Sequence, residues 1–484
     1  MKSVCLALLL PGMLAACASA PRVAEAPVPT PLQWQMPMSD AGEGSDAGFW
    51  SGFASPELDR LLQRAAIANP DLQIAVRRLR IADDAERLAA AGKRPALDFQ
   101  AGPVDNTAVA VNGGRRSAAV YRLGFEASYE LDFWGRIDNQ IAGAKADAAG
   151  QRFEAGAARI AMADELAHRY FDIAEADEVR VLLQRRAALA DERWTLETAR
   201  QAAGRIDAGP VLEAQRARNQ LQDELADWQQ RRQQDIWQLA LLCGELPEAF
   251  TLAASPLRQA IRRPSVPSGL PSSLLQRRPD LQAASSRLQA AQAQIGVAWA
   301  EQFPQIRLTA ELGVASDVLH RVLSGAILPF GIGPSISLPL LDGGARAARL
   351  DASQQAAEIA ETEYRKAALA AFVDVELALQ AHADADSRQR QSEQTAAWQQ
   401  QLAQRSAAQQ QAGRANRIDA ITLESARLEA EQLAVDRYRQ QLDALLALHA
   451  ALGGGWSAPD LALASSTSAI NEPSNRPGNK KVTP

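Results

Sequence analysis

Residues 69–79, NPDLQIAVRRL, return as residues 278–288, RPDLQAASSRL, and the echo holds at one constant offset of 209 positions through most of the chain. Pro95 falls on Pro304, Gly124 and Ser128 on Gly333 and Ser337, and Gly135 on Gly344. The register continues without a gap: Ala203-Gly204-Arg205 lands on Ala412-Gly413-Arg414, Ala217-Arg218 on Ala426-Arg427, and Gly244 on Gly453. Alanine-rich helices match one another by chance at alanines, but not at Pro, Gly and a Pro-Asp-Leu-Gln string in a single register. The chain is an internal duplication, so whatever one half folds into, the other must build a near copy.

Each half has the same order of elements. A helix starts at Asn69-Pro70-Asp71 or Arg278-Pro279-Asp280, where proline suits the first turn and the acid suits its positive end. Past Pro95 or Pro304 the apolar period shortens from 3.6 to 2. Leu123, Phe125, Ala127, Tyr129 and Leu131 then share one face, opposite Arg122, Gly124, Glu126, Ser128 and Glu130. The second half repeats this with Ile306, Leu308, Ala310 and Leu312 against Arg307, Thr309, Glu311 and Gly313, and with Ile332, Ile336, Leu338 and Leu340 against Gly333, Ser335, Ser337 and Pro339. Strands fall at about 96–131 and 305–341, four in all, each of about ten residues, a length that crosses a tilted bilayer. On pattern alone they fit equally a hairpin packed by one face on helices. If they do span lipid, four strands cannot close by themselves, and several chains must pool them.

Long helical tracts follow. No proline occurs between Arg136 and Gly209 or between Leu340 and Ala458, and no glycine between Ala345 and Gln411. A helix of about 65 residues reaches roughly 100 Å, beyond any ordinary globular helix. The matched Gly204 and Gly413 mark reversals, and after the second one Ile421, Leu428, Val435 and Leu442 recur every seventh residue as a coiled-coil seam. The fold class expected is therefore mainly α with a small β part.

Composition narrows the function. A formal charge of −6 with no sustained Lys/Arg stripe argues against nucleic acid as a partner. His168, His320, His382 and His449 are scattered without metal-ligand spacing and read as lone polar residues, and no nucleophile motif or phosphate loop follows a strand, so neither catalysis nor a cofactor or metal is expected. The start, MKSVCLALLLPGMLAAC, reads as an export signal over residues 1–16, ending in a Leu-Ala-Ala-Cys lipobox at Cys17; an ordinary signal peptide cut near Ala-Ser-Ala is the other reading. Lipidated, Cys17 would carry S-diacylglycerol and an N-acyl chain and hold the protein on a membrane. In the lipoproteins whose lipobox this resembles, an Asp after the cysteine retains the protein at the inner membrane; Ala18 stands there, so the outer membrane is the expected address. Cys243 has no disulfide partner to spare and reads as a small buried apolar residue.

The lipobox, YELDFWGR at 129–136, its counterpart LPLLDGGAR at 338–346, the RRPDL helix start and the AGR turns followed by VLEAQRAR and IDAITLESAR resemble the TolC-type outer-membrane factors, in particular the NodT-type efflux lipoproteins. The resemblance covers residues 50–456. It implies a homotrimer whose three sets of four strands form a 12-stranded barrel, continued into the periplasm by a coiled-coil-like helical tunnel. That tunnel would be the passive exit duct for drugs or other toxic small molecules, joined by a periplasmic adaptor to an inner-membrane transporter of RND or MFS type. Export of a protein by a type I secretion system, or a poreless periplasmic tether, are the competing readings.

The same resemblance assigns residues. Gly204, Arg205, Gly413 and Arg414 would meet the adaptor, although the glycines also turn the chain. Asp419 would line a constricted aperture; the family's second acid is replaced by Thr422, Pro210 stands at the matching position in the first half, and an exposed helix acid is the bland alternative. Asp207 is a weaker candidate. Tyr129, Phe133 and Trp134 lie where a strand would leave the bilayer. Phe372 reads as packing, with Asp374 and Glu376 as a solvated tunnel lining. The domains expected are a tether at 17–48, repeats at 49–245 and 273–456, a five-proline linker at 246–272, and a disordered tail at 457–484.

Overall fold

The computed structural model describes residues 21, 30–31, 33–35, 46–109, 115–264, 271–316 and 330–454. Cys17, most of the expected tether, His320 and the expected tail lie outside the described residues. The elements, in order, are α1 (Asp46–Gly52), α2 (Pro56–Ala68), α3 (Pro70–Ala91), β1 (Ala96–Val109), β2 (Arg115–Leu131), α4 (Arg136–Ala202), α5 (Gly209–Leu242), α6 (Leu257–Ala260), α7 (Pro271–Arg277), α8 (Pro279–Ala300), β3 (Gln305–Ser316), β4 (Phe330–Ser337), α9 (Ala345–Gln411) and α10 (Arg417–Ala451). The offset reappears in their bounds: α3 and α8 are both 22 residues, α4 and α9 both 67, each pair displaced by 209. At 1.5 Å per residue, α4 and α9 are each about 100 Å long.

Two compact units divide the chain. The first comprises the described residues within 79–151 and 283–366, and is built on a single antiparallel sheet in the order β1-β2-β3-β4. The register places Phe99 opposite Phe125, Phe125 opposite Leu312 and Leu312 opposite Phe330, so one face is an apolar stripe across all four strands. Glu126 opposite Glu311 and Glu130 opposite Arg307 make the other face charged. The strands run from 8 to 17 residues rather than a uniform ten, and β4 ends at Ser337, short of Leu338 and Leu340. Gly124 and Gly313 sit opposite each other, where a Cβ on Gly124 would come within 2.8 Å of the Gly313 Cα; these glycines let β2 and β3 close up.

In the second unit, the described residues within 28–78, 152–282 and 367–454, the helices share one large apolar core. Phe49 and Phe53 of α1, Leu58 and Leu61 of α2, Leu166 and Phe171 of α4, Ile236 and Leu239 of α5, and the α10 seam of Leu428, Val435 and Leu442 all meet there. Each such side chain contributes about 1.5–3 kcal/mol on burial. Cys243 is buried in it, and its thiol is pushed up to about 11 by that burial. The 246–272 stretch is more than a connector: Phe250, Leu257 and Ile261 insert into the same core. A smaller cluster joins Leu274 and Leu281 to Phe372, Val375 and Leu448, with Trp34 packed on it.

The repeats keep one contact through different chemistry. Asn69 accepts from Leu72 N (3.0 Å), capping α3, and its amide donates to Leu242 O at the end of α5 (2.9 Å). In the other half Arg278 stands at that place and donates to Ala451 O at the end of α10 (3.3 Å), with its charge held by Asp280 and Asp374. Position and partner survive the duplication; the donor group does not.

Candidate functional site

The expected adaptor-facing residues lie on two helix reversals in the second unit. At the end of α4, Gly204 N donates to Gln201 O (2.8 Å) and Arg205 N to Arg200 O (2.9 Å), and Gly204 takes φ +67°. At the end of α9, Gly413 N donates to Gln410 O (3.0 Å) and Arg414 N to Gln409 O (2.8 Å), with Gly413 at φ +70°. This paired pattern satisfies the last carbonyls of each helix and needs a residue at ease with positive φ. Gly204, Arg205, Gly413 and Arg414 are all exposed, so both tips offer backbone and a guanidinium to solvent.

The next helices start differently. Asp207 Oδ1 accepts from Gly209 N (3.2 Å) and Pro210 occupies the first turn of α5. Asn416 caps α10 by accepting from Asp419 N (2.8 Å), so Asp419 sits in the first turn, where the helix dipole favours a negative charge. Its side chain is exposed. Thr422 is exposed as well, but its hydroxyl donates to Ile418 O of the turn below (2.9 Å) rather than joining Asp419 in a polar pair.

Arg417, one turn before Thr422, was not singled out by sequence. Its Nε and Nη2 grip both oxygens of Glu192 on α4 (2.6 and 2.7 Å), and this guanidinium holds the Glu192 carboxyl below the usual carboxylate range. Glu192 lies ten residues before the end of α4, about 15 Å along the helix. The fork therefore brings the two reversals to the same end of the unit. Arg218 of α5 pairs with the neighbouring Asp191. The signal available in the sequence was an arginine three residues past the AGR turn, but its acid partner is 225 positions away.

A second charged cluster lies deeper. Arg439, buried, donates to Asp172 (2.7 and 2.9 Å) and pairs with Asp443, while His168 Nδ1 lies 2.5 Å from Asp443 Oδ1 and Nε2 is 3.5 Å from Asp164. Burial alone would lower the His168 pKa, but the two carboxylates prevail and raise it to about 9. Burial pushes Glu175, beside this cluster, up to about 8. The reading of the histidines as lone polar residues is thus corrected: His168 is an ion-pair member and His449 stacks on Phe49, ring centroids 3.6 Å apart. Asp164, four residues before His168, was the only local sign of this; Arg439 and Asp443 come from a helix more than 260 residues away. Asp374 and Glu376 have partners, Arg278 and the Gln35 backbone N–H (2.8 Å), and the Asp374 side chain stays half exposed; Phe372 is buried against Trp34 as expected.

In the first unit, Trp134 at the strand-to-helix junction donates from Nε1 to Pro304 O (2.8 Å) and stacks on Phe303, while Phe133 is exposed and Tyr129 lies on the apolar face opposite Leu308. No group of three or more His, Cys, Asp or Glu placed to hold a metal occurs among the described residues, and no helix among them is long and apolar enough to cross a membrane. The described residues offer turn tips and a two-faced sheet.

The comparisons with known proteins fit this geometry. The family model "Outer membrane efflux protein" matches residues 61–245 and 270–454, one match per repeat. The pyoverdine export outer membrane protein OpmQ of Pseudomonas aeruginosa is 29% identical over 462 residues, covering 93% of this chain and 97% of that protein. The cation efflux system protein CusC of Escherichia coli O6:H1 is 27% identical, covering 93% and 98%. Among solved structures, the outer-membrane channel OprN superposes with a TM-score of 0.79 at 25% identity, covering 90% of this chain and 99% of that one. The open state of the Neisseria gonorrhoeae MtrE outer membrane channel gives 0.80 at 26%, covering 91% and 98%. With both repeats matched, the sheet two-faced and the long paired helices in place, the chain belongs to the outer membrane efflux protein family, the outer-membrane channel components of efflux pumps.

Proposed function

We propose that three copies of this chain form one conduit, with a 12-stranded barrel in the outer membrane and a helical tunnel in the periplasm, through which an inner-membrane RND or MFS transporter expels drugs or other toxic small molecules. The observation that carries this reading is the sheet: one face apolar on every strand, the other charged, and β1 and β4 left at open edges. An open edge is not tolerated in lipid, and a sheet wet on both sides would not expose Phe99, Phe125, Phe330, Ile332 and Ile336 together. Pairing β1 of one copy with β4 of the next removes every edge.

The reversal tips at Gly204 and Gly413 face the periplasmic adaptor, with Arg205 and Arg414 as its contacts, and three copies of Asp419 ring the aperture. Cys17 carries the lipid that anchors the N-terminus in the outer membrane. The relatives' names speak of pyoverdine, toluene and cations, a range too wide for selection inside so similar a duct, which supports a passive conduit with cargo chosen by the transporter.

Reconstitution of the purified lipoprotein in planar bilayers tests the reading. Stepwise conductance from a heat-modifiable trimer is expected; a monomer that stays in water and passes no current overturns it.

A further inference from the structure

Glu175 of α4 is only 7% exposed, yet no hydrogen bond or ion pair joins it to another described residue. A carboxylate so deeply buried is costly, and its surroundings raise the cost: Asp172 on its own helix and Asp436 and Asp443 of α10 bring the same sign, against the cation Arg439. That guanidinium is already committed to Asp172 (2.7 Å) and to Asp443. The geometry therefore favours a protonated Glu175, and burial lifts its pKa to about 8. Two turns earlier on α4, His168 sets Nδ1 2.5 Å from Asp443 and 3.4 Å from Arg439 Nη2, with Nε2 facing Asp164 (3.5 Å). It carries its charge through these carboxylates, with a pKa near 9. His168 and Asp443 line an open cavity with Asp384 and Arg388 of α9, an acid and a base that offset each other, and through it water and protons reach the cluster. On the α5 side Asp235 pairs with Arg169, which Glu165 also holds.

The duplication shows that the helix pattern is built without these charges. At the offset of 209, His168, Asp172, Arg439 and Asp443 become Leu377, Ala381, Gln230 and Gln234, and Asp164 becomes Val373. Glu175 keeps an acid there, Asp384, but an exposed one. The network is an addition particular to the joint between α4 and α10.

We infer that this cluster is a proton-held lock between α4 and α10: the joint is firm while Glu175 keeps its proton and His168 its charge, and it loosens as the medium turns alkaline. The sign follows from linkage. Packed in the joint, both groups hold a proton more tightly than when hydrated, about 8 against 4.5 for Glu175 and about 9 against 6.5 for His168. Opening the joint therefore releases protons and grows easier as pH rises from about 6.5 through 9. Once both protons are gone, Glu175, Asp172, Asp443 and Asp164 face the single charge of Arg439. Asp172 lies twenty residues, or about 30 Å, along α4 from Glu192, so the lock and the Arg417–Glu192 fork clamp the same two helices at two levels. The inference rests on the fold of the second unit, not on the conduit.

Amide hydrogen exchange of the purified full-length protein in detergent, read as protection factors from pH 7 to 8.5, tests the lock. Between pH 7 and 8 the protection of residues 436–446 of α10 should fall about a hundredfold, tenfold for each of the two protons released. Glu175→Gln and His168→Gln each remove one of those protons and should leave a fall of about tenfold. Glu175→Gln should also be better protected than the wild type at pH 8.5. His449, with its pKa near 4, is neutral throughout this range and adds no slope. Residues 285–300 of α8, in the other unit, are the control and should stay level. Wild-type protection that does not change with pH overturns the lock, whether or not either variant folds. So do variants that shift protection equally at every pH and keep the wild-type slope, as residues with a merely structural role would. A fall in α8 equal to that in α10 overturns it too, since the whole chain would then be loosening. A protein that passes no current in the bilayer measurement counts against the conduit and leaves these outcomes as they stand.

Discussion

His449 lies flat on Phe49, with the rings 4° from parallel, and Trp50 meets it edge-on. Burial favours its neutral form and lowers its pKa to about 4, with Asp164 opposing weakly. An unfolded histidine titrates near 6.5, so between pH 6.5 and 4 the unfolded chain binds more protons, and stability falls as pH drops through that window. The loss is bounded at about 3 kcal/mol. Melting temperature followed from pH 7 to pH 4 should show the slope, and His449→Phe, which keeps the stack, should flatten it. Arg439 is the harder residue to lose. Removing it leaves Asp172 without its counter-charge while Asp443 keeps His168, and Arg439→Met is expected to show a lower melting temperature in detergent. Neither site was legible in the sequence. A histidine looks alike whether stacked, paired or wet, and what distinguishes these two is the helix packed across them. Cys243 was legible because a single thiol with no partner has few places to go.

At the scale of elements the sequence reads well, since helices and strands are local consequences of periodicity and breakers. Helix α9 begins and ends at the limits of the glycine-free tract, Ala345 and Gln411, and the seam at Ile421, Leu428, Val435 and Leu442 is buried throughout. Turn chemistry sets a graded expectation. Gly204→Ala meets nothing within 4 Å and should cost only the strain of positive φ, about 1 kcal/mol. Gly244→Ala, at φ +67° too, drives its Cβ into the carbonyl oxygen of Ala68 and should cost clearly more. Comparing the two melting temperatures checks this, and equal losses would mean that the contact at Ala68 gives way freely. Strand ends were less legible, because β4 stops at Ser337 while its alternation runs on to Leu340; pairing with Gln305, not pattern, ends it.

For the whole molecule the decisive surface is the two-faced sheet. Ile332→Arg places a charge on the apolar face at a cost of about 2–4 kcal/mol if that residue lies near the bilayer midplane. It should deplete the protein from the outer-membrane fraction. Ser335→Arg, on the opposite face of β4, should insert normally and change only conductance. Equal loss of both would count against a membrane-spanning sheet. The sequence by itself determined the duplication, the element order and the alternation, because repeats, breakers and period are written along the chain. The tertiary structure alone decided which distant acids and bases meet and that the 246–272 stretch enters the core. Those outcomes depend on residues hundreds of positions apart arriving within a few ångströms, a distance that no local pattern encodes.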